Sequence, residues 1–234
     1  VKELRGYLEL SEREKLSVGP AIIGFHNNKE VKVKVDPNVR RRHVYYFHEY
    51  RGYKGEYDPN IGRVALGEVQ DALAGTGHAD KITLILPHIP YLRGDWPPES
   101  RVPVPAKRIA LEQEHAALGK LNHVITMDLH SDQESAFYDT LRPDNLPFRP
   151  NVVNRFKDVD GELACVALDS GGTKRARALA KSLSTARGGV YIPIIFIDKY
   201  RPKDGDAEVM HVVGEPEGRI CIAWEDMIDT GGTA

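Results

Sequence analysis

Short apolar runs rich in β-branched residues alternate along the chain with stretches whose apolar residues recur at helical spacing. The runs predict six buried strands, at residues 44–47, 82–86, 124–127, 164–168, 190–197 and 220–224. Between them, apolar positions three and four residues apart predict helices at residues 64–73, 109–117 and 176–183. Alternating strands and helices are typical of an α/β protein with doubly wound, mostly parallel sheets.

Two segments depart from this pattern. Residues 31–35 alternate strictly between valine and lysine, which predicts a half-exposed strand of a hairpin near a sheet edge. Residues 141–150 hold three prolines, which cannot continue a helix or a central strand. We therefore predict a domain boundary there, between a first domain at residues 1–146 and a second at residues 147–234.

Composition and charge describe an ordinary globular protein. Hydrophobic residues make up 41% of the 234 residues and charged residues 28%. The sequence has no run of about 18 apolar residues, which is the length that would indicate a membrane span. The 32 basic and 34 acidic side chains give a net charge of −2, which argues against general nucleic-acid binding. Cys165 and Cys221 each lie in an apolar run, which excludes a disulfide framework and predicts buried thiols. Because no secretory signal is visible, we predict a cytoplasmic location without nucleic-acid or membrane partners.

Polar side chains follow five of the predicted strands, at the edge where ligands bind in open parallel sheets. The segments that follow these strands are residues 91–101, 128–130, 169–172, 198–201 and 225–233. Together they supply carboxylates, a histidine, guanidinium groups and a lysine. In the last segment, Glu225 and Asp226 precede a turn of small and hydroxyl-bearing residues: Asp229, Thr230, Gly231, Gly232 and Thr233.

This last turn predicts a ribose-phosphate site. Its backbone N–H groups and the hydroxyls of Thr230 and Thr233 can bind one phosphate at a helix N-terminus. The carboxylates of Glu225 and Asp226 suit sugar hydroxyls, which are hydrogen-bond donors. A polar glycine turn without a ligand is the alternative. Because such a turn usually leads into a helix, we also expect the second domain to be incomplete in this chain.

Residues 225–233 resemble the phosphoribosyl-binding fingerprint of the type I phosphoribosyltransferase fold. Five further segments resemble successive motifs of the ribose-phosphate diphosphokinases, or phosphoribosyl-diphosphate synthetases: residues 91–107, 127–133, 144–146, 169–176 and 198–202. The resemblance covers nearly all of the chain from Phe25 onward, in the same order. It implies two phosphoribosyltransferase-like domains, the second truncated at its C-terminus here, and a homo-oligomer whose ATP site is shared between subunits.

The resemblance also implies a reaction and a cofactor. The 1-hydroxyl of ribose 5-phosphate would take the diphosphoryl group of ATP, with Mg²⁺ as cofactor, giving phosphoribosyl diphosphate and AMP. Three alternatives stay open: transfer to a larger 5-phosphorylated ribose, a non-catalytic regulatory homologue, and an enzyme of the same fold that consumes phosphoribosyl diphosphate. The presence of His130, Asp169, Lys199 and Arg201 argues against a regulatory homologue. The consuming enzyme would have no use for His130 or for the segment at residues 93–101.

The resemblance assigns site roles position by position. The metal ligands would be His130 and Asp169. The ribose phosphate would be bound by Glu225, Asp226, Asp229, Thr230, Gly231, Gly232 and Thr233. ATP would be bound by Phe25, Asn27, Glu30, Arg93 and Asp95, the first three from a loop donated by a neighbouring subunit. The catalytic cations, which neutralise charge on the transferring group, would be Lys199, Arg201, Arg93 and Arg101.

The sequence departs from the family pattern in several places. Gly94 stands where the family usually has glutamine, and residues 96–98 are Trp-Pro-Pro where it has basic residues. Glu225 replaces an aspartate, which moves the carboxylate outward. Residues 52–57 are unlike the family. These departures leave the identity of the acceptor and the contacts with ATP open.

Overall fold

The computed structural model describes residues 18–52, 55–203 and 206–227, and it describes the side chains of these residues outside 198–203 and 206–210. The chain groups into two compact units. The first comprises the chain up to Thr126 together with Ser131–Asp144, and the second comprises Met127–His130 and the chain from Asn145 onward. Within the described residues, no helix is long and apolar enough to cross a membrane.

Within the described residues, the first unit contains a hairpin, most of a four-stranded sheet, two α-helices and a short 3-10 helix at Asp132–Ala136. The hairpin pairs β1 (Ala21–Phe25) antiparallel with β2 (Val31–Val35), which confirms the strand predicted at residues 31–35. The sheet has the order β3 (His43–Phe47), β4 (Lys81–Leu86), β5 (Leu121–Met127) and β6 (Asp144–Leu146), and its first three strands are parallel. The helices are α1 (Pro59–Asp71), continued by a π-helical turn at Ala72–Thr76, and α2 (Pro105–Ala116).

Local sequence explains where α1 begins. The Asp58 carboxylate accepts hydrogen bonds from the backbone N–H groups of Asn60 and Ile61, at 2.9 and 3.0 Å. Pro59 fits the first turn because an N–H there would have no partner within the helix. The buried residues of α1 are Gly62, Ala65, Leu66, Val69 and Gln70. Their helical spacing confirms the helix that the apolar pattern predicts in this region.

The second unit contains, in chain order, α3 (Arg149–Phe156), β7 (Leu163–Ala167), α4 (Thr173–Ala186), β8 (Ile194–Lys203), β9 (Asp206–Val213) and β10 (Ile220–Ala223). Its sheet has the order β10-β7-β8-β9, in which β7 pairs parallel with both β10 and β8. All five residues of β7 are buried. The core between this sheet and α4 includes Leu163, Cys165, Leu179 and Leu183. The α/β architecture with mostly parallel strands confirms the predicted fold class.

The strand predicted at residues 190–197 is shifted in the structure. Strand β8 starts only at Ile194, because Pro193 has no N–H to contribute to the sheet. It then continues to Lys203 by antiparallel pairing with β9, which the sequence did not predict. Antiparallel backbone hydrogen bonds to β9 hold this polar extension of β8 in the sheet. Its sequence has no continuous apolar run, so the apolar pattern did not predict it.

Three further features differ from the sequence-based picture. Strand β6 lies inside the proline-rich segment, at the end of its sheet, where neighbouring prolines are tolerated. Helix α3 begins in the same segment, with Pro150 in its first turn. Cys221 is exposed, although its apolar run predicted burial, because β10 is the first strand in the sheet order.

Candidate active site

Strand ends of the second unit bring together acidic, basic and histidine side chains. Asp169 follows β7 and Glu225 follows β10, and these two strands are parallel neighbours, so their carboxyl ends lie side by side. Arg175 lies in the first turn of α4, directly after the turn that begins at Asp169. His130 belongs to the same unit. The fold therefore gathers these residues at the sheet edge where the sequence predicts ligand binding.

Arg175 is the centre of the hydrogen-bond network in this cluster. Its Nη1 donates to Glu225 Oε2 at 3.0 Å and to Asp226 Oδ1 at 2.8 Å. His130 Nδ1 lies 2.7 Å from the other oxygen of Asp226, Oδ2. The side chains of Arg175, Glu225 and Asp226 are only 22%, 15% and 9% exposed. These ion pairs are thus partly shielded from water, which makes them stronger than pairs on an open surface.

Gly172 allows the Glu225 carboxylate to come close to the turn after β7. A Cβ at this position would lie 2.8 Å from Glu225 Oε1 and 3.6 Å from Asp169 Oδ1. The backbone N–H of Gly172 donates to Asp169 Oδ1 at 2.8 Å. Glu225 Oε1 is itself buried and has no hydrogen-bond partner within the described part of the chain. The extra length of glutamate, compared with the family's aspartate, is therefore accommodated by the absence of a side chain at Gly172.

The two neighbouring carboxyl groups differ in their electrostatic surroundings. Burial raises the pKa of Glu225, and the charges of Asp169 and Asp226 add to this rise against the opposing charge of Arg175. Burial also acts on Asp226, but the hydrogen bond with His130 and the charge of Arg175 outweigh it and hold the pKa of Asp226 below its usual value. Asp226 is therefore the more strongly acidic member of the pair.

The predicted metal ligands, His130 and Asp169, suit a magnesium ion as part of a larger ligand set. Mg²⁺ usually keeps several waters and binds one or two protein carboxylates together with substrate phosphates. Contact of His130 Nδ1 with Asp226 leaves Nε2 as the ring nitrogen that could face a metal, an arrangement common for metal-bound histidines. Among the residues with described side chains, no group of three or more His, Cys, Asp and Glu is arranged to hold a metal ion. The metal role of His130 and Asp169 stays a prediction.

Other predicted residues of this site fall beyond what the structure describes. The turn formed by Asp229, Thr230, Gly231, Gly232 and Thr233 lies outside the described residues. Lys199 and Arg201 lie within β8, not after a strand end as predicted, and only their backbone is described. In the β8–β9 pairing, Lys199 is opposite Val209. Their catalytic roles stay predictions.

The three residues predicted to bind the ATP of a neighbouring subunit lie together on the hairpin of the first unit. Phe25 ends β1 and pairs with Val31 of β2, while Asn27 and Glu30 lie in the connecting loop. The backbone N–H of His26 donates to the carbonyl of Glu30 at 2.9 Å, which closes this loop. Asn27 and Glu30 are exposed, so their side chains are accessible for binding.

Arg93, Asp95 and Arg101 lie in the loop between β4 and α2, also in the first unit. Asp95 accepts a hydrogen bond from Gln133 Nε2 at 2.8 Å. A Cβ at Gly94 would lie 2.7 Å from Cδ of Pro105, the first residue of α2, so the glutamine usual in the family would not fit here. The loop that carries the two arginines is thus held close to the start of α2.

Tyr57, the last residue of the segment that is unlike the family, contacts the beginning of this loop. Tyr57 Oη lies 3.1 Å from His88 Nε2. Close by, the Tyr91 hydroxyl donates to Asn60 Oδ1, and the guanidinium of Arg63 lies 5.8 Å from the centre of the Tyr91 ring. Tyr57 and the first residues of α1 therefore contact the beginning of the loop that carries Arg93 and Arg101.

Gly172 and Arg175 lie in the motif at residues 169–176, but the sequence alone did not predict a role for either residue. A signal for Arg175 was present, since it stands in the first turn of α4, where the helix dipole disfavours a cation. An arginine at such a position calls for an acidic partner. Its partners Glu225 and Asp226 follow about 50 positions later, so only the folded chain identifies them.

The two α/β units with parallel strands, and the charged cluster at the strand ends of the second unit, define an α/β protein of the kind that binds ligands at the carboxyl ends of its strands. Comparison with known proteins narrows this class. Residues 7–116 match the model of the N-terminal domain of ribose phosphate pyrophosphokinase. The chain belongs to the ribose-phosphate pyrophosphokinase family, because it is 35% identical to a relative of that name and covers 67% of the relative's length.

Three relatives illustrate the relationship. A ribose-phosphate pyrophosphokinase of Ralstonia nicotianae is 38% identical over 221 residues, which are 93% of this chain and 64% of the relative. The enzyme of the same name from Pasteurella multocida is 35% identical, over 96% of this chain and 67% of the relative. The crystal structure of phosphoribosylpyrophosphate synthetase from Mycobacterium smegmatis superimposes with a TM-score of 0.72 and 30% identity, over 93% of this chain and 66% of that one. The chain thus spans about two thirds of these proteins, 64% in the first case.

Proposed function

We propose that the protein transfers the diphosphoryl group of ATP to the 1-hydroxyl of ribose 5-phosphate, giving phosphoribosyl diphosphate and AMP. The observation that carries this proposal is the acidic pair of Glu225 and Asp226, held by Arg175 beside Asp169 in a chain of the ribose-phosphate pyrophosphokinase family. Carboxylates at a strand end accept hydrogen bonds from sugar hydroxyls, as the acceptor substrate requires.

In this reaction the anomeric oxygen attacks the β-phosphorus of ATP. A new P–O bond forms to the sugar, the bond between the β-phosphorus and the oxygen shared with the α-phosphate breaks, and AMP leaves with that oxygen. The hydroxyl proton is released from the acceptor. Such a transfer depends on positioning and charge neutralisation more than on covalent help from the protein.

We assign the residue roles accordingly. Glu225 and Asp226 bind the ribose hydroxyls, and residues 229–233 bind the 5-phosphate. Lys199, Arg201, Arg93 and Arg101 neutralise the polyphosphate, and Phe25, Asn27, Glu30 and Asp95 bind ATP. His130 and Asp169 would hold Mg²⁺, which when bound supplies positive charge to the phosphate oxygens.

We further infer a homo-oligomer in the cytoplasm, with the ATP site shared between subunits. The exposed hairpin loop of the first unit supports this inference, because Asn27 and Glu30 are available to a neighbouring subunit. Ile22 and Ile23 on the same hairpin are 48% and 37% exposed, which is apolar surface that association would cover.

A larger 5-phosphorylated ribose is the second candidate acceptor. The departures from the family pattern at residues 52–57 and in the loop that bears Arg93 and Arg101 would permit it. The chemistry of the transfer would be the same.

One assay tests the proposed reaction. The full-length protein is incubated with Mg²⁺, ATP and in turn ribose 5-phosphate, a larger 5-phosphorylated ribose and unphosphorylated ribose, and the products are followed by ³¹P NMR. We expect AMP to appear in equal amounts with a sugar diphosphate when ribose 5-phosphate is present. Formation of ADP without AMP would contradict diphosphoryl transfer. Equal competition by unphosphorylated ribose would contradict a phosphate-binding role for residues 229–233.

A further inference from the structure

The four carboxylate oxygens of Glu225 and Asp226 are not equivalent. Asp226 uses both of its oxygens, one with Arg175 at 2.8 Å and one with His130 at 2.7 Å. Glu225 uses Oε2 with Arg175 at 3.0 Å, and its Oε1 is buried without a hydrogen-bond partner among the described residues. A buried carboxylate oxygen without a donor is costly, so a hydrogen-bond donor is expected at this place.

Arg175 is well placed to keep this arrangement. A single nitrogen, Nη1, reaches both carboxylates, and the side chain is only 22% exposed. Without that charge, Glu225 and Asp226 would repel each other and Asp169 in surroundings partly shielded from water. Because Gly172 leaves no room for a Cβ next to Glu225 Oε1, the carboxylate is confined on one side by backbone and on the other by Arg175.

We propose that Arg175 is a positioning residue: it holds the carboxylates of Glu225 and Asp226 and aims Glu225 Oε1 at a hydroxyl of the sugar substrate. This inference rests on the proposed function, in which these acids meet a ribose. Arg175 touches the substrate only through Glu225.

The test measures binding of ribose 5-phosphate and of its 2-deoxy and 3-deoxy analogues by calorimetry. Wild type is compared with Arg175→Ala, Arg175→Lys and the control Arg177→Ala, which changes an exposed arginine of the same helix. ATP binding and melting temperature are recorded for each variant. Because Arg175→Ala removes the charged hydrogen bonds to Glu225 and Asp226, we expect it to weaken ribose 5-phosphate binding by about 10- to 100-fold, with little change in ATP binding.

A role in hydroxyl recognition predicts a second effect. Wild type should prefer ribose 5-phosphate to at least one deoxy analogue, and Arg175→Ala should largely lose that preference. Arg175→Lys, whose ammonium can donate to both carboxylates, should restore part of it, as should guanidinium added to Arg175→Ala. A merely structural role would lower the melting temperature without changing the ratio between sugars.

The outcomes separate this inference from the proposed function. If wild type fails to bind ribose 5-phosphate, the proposed function is wrong. If wild type binds and discriminates, but Arg175→Ala keeps the same preference between the sugars, the role given to Arg175 is wrong. Should Arg175→Ala fail to fold, Arg175→Gln decides, because it removes the positive charge and keeps much of the length of the side chain. An unchanged affinity and an unchanged preference between the sugars in that folded variant would overturn the inference.

Discussion

The space at Gly172 is occupied by the end of the Glu225 side chain, so these two residues are complementary in size. A Cβ at position 172 would lie 2.8 Å from Glu225 Oε1, which is too close for an ordinary contact. The atom in the way is the end of a flexible side chain, which can move aside at little cost to folding. A methyl group at this position should therefore disturb the site much more than the fold.

We expect Gly172→Ala to weaken ribose 5-phosphate binding by about tenfold or more while the melting temperature changes little, because the Glu225 carboxylate must leave its position. Calorimetry and thermal unfolding check the two effects. Glu225→Asp, which shortens the side chain, should relieve the clash, so the double variant should bind better than Gly172→Ala alone. Independent effects of the two substitutions would show that the residues are not coupled.

At the scale of elements, one buried glutamate connects α2 with the segment that precedes β6. Glu114 is 8% exposed and accepts hydrogen bonds from the backbone N–H groups of Asp139 and Thr140, at 2.9 and 2.7 Å. The Thr140 hydroxyl donates a third bond at 2.5 Å. Burial by itself would raise the pKa of Glu114, but these hydrogen bonds outweigh it and lower the pKa.

This lowered pKa predicts how Glu114 contributes to stability as the pH changes. Since the folded state favours the carboxylate, the stabilisation is complete above the usual value of 4.5 and is lost as the pH falls through the lower folded pKa. The free energy of unfolding of wild type should exceed that of Glu114→Gln at pH 7, and the difference should shrink below pH 4.5. Urea titrations across this range measure it.

The matched control is Glu68→Gln, on an exposed position of α1. Its free energy of unfolding should stay within about 0.5 kcal/mol of wild type throughout. If the difference between wild type and Glu114→Gln did not depend on pH, the three hydrogen bonds would not be the cause of the stabilisation.

A second connection between elements is made by Arg187 at the end of α4. Its Nη1 donates to the carbonyl of Val159 at 2.7 Å and its Nη2 to that of Gly161 at 3.0 Å. Longer contacts, of 3.4 and 3.5 Å, reach the carbonyls of Phe156 and Lys157. One guanidinium thus fixes the path of the chain from α3 into β7.

We expect Arg187→Met, which keeps the aliphatic stem, to lower the free energy of unfolding by about 1.5–3 kcal/mol, the usual value for bonds from a charged donor. Urea unfolding followed by Trp224 fluorescence in a Trp96→Phe background reports on the second unit alone. Arg177→Met on the exposed face of α4 should change the value by less than about 0.5 kcal/mol. If both variants lowered the free energy of unfolding equally, the hydrogen bonds of Arg187 would not be the cause of the stabilisation.

On the scale of the whole molecule, each of the two compact units is built from two separate stretches of the chain. Residues Met127–His130 group with the second unit, although Met127 is the last residue of β5 and the other three follow it directly. Within that unit, the N–H of Asp128 donates to the carbonyl of Leu146 at 3.2 Å, and the N–H of Leu129 donates to Asn145 Oδ1 at 3.1 Å. His130, a central residue of the site, is therefore supported by the unit that carries Glu225 and Asp226.

Native-state hydrogen exchange tests this assignment. The amides of Asp128 and Leu129 should exchange with the same dependence on denaturant as the amides of β7, because they are protected within the second unit. Asn145→Ala should speed exchange at Leu129 and leave Asp128 nearly unchanged. If both amides exchanged with the denaturant dependence of the β4 amides, residues 127–130 would belong to the first unit instead.

The elements themselves are largely encoded in local sequence. The Asp58 cap, the Pro59 first turn and the apolar stripe of α1 lie within one short stretch, and the alternation of residues 31–35 marks β2 by itself. The buried run of β7 needs no distant information either. Strand β8 is the exception, since its extension to Lys203 depends on pairing with β9.

The site, unlike the helices and strands, depends on contacts between residues far apart in the sequence. The sequence alone singled out His130, Asp169, Glu225 and Asp226, because polar residues follow apolar runs at the ends of strands, where parallel sheets bind ligands. It did not reveal the bond from Arg175 to Glu225, which joins residues 50 positions apart. Periodicity and capping act within a few residues along the chain, whereas which charges meet depends on strand order and register. Only the tertiary structure, by placing β10 beside β7, decided that Arg175 holds both acids, and that Glu225 Oε1 is buried without a hydrogen-bond partner among the described residues.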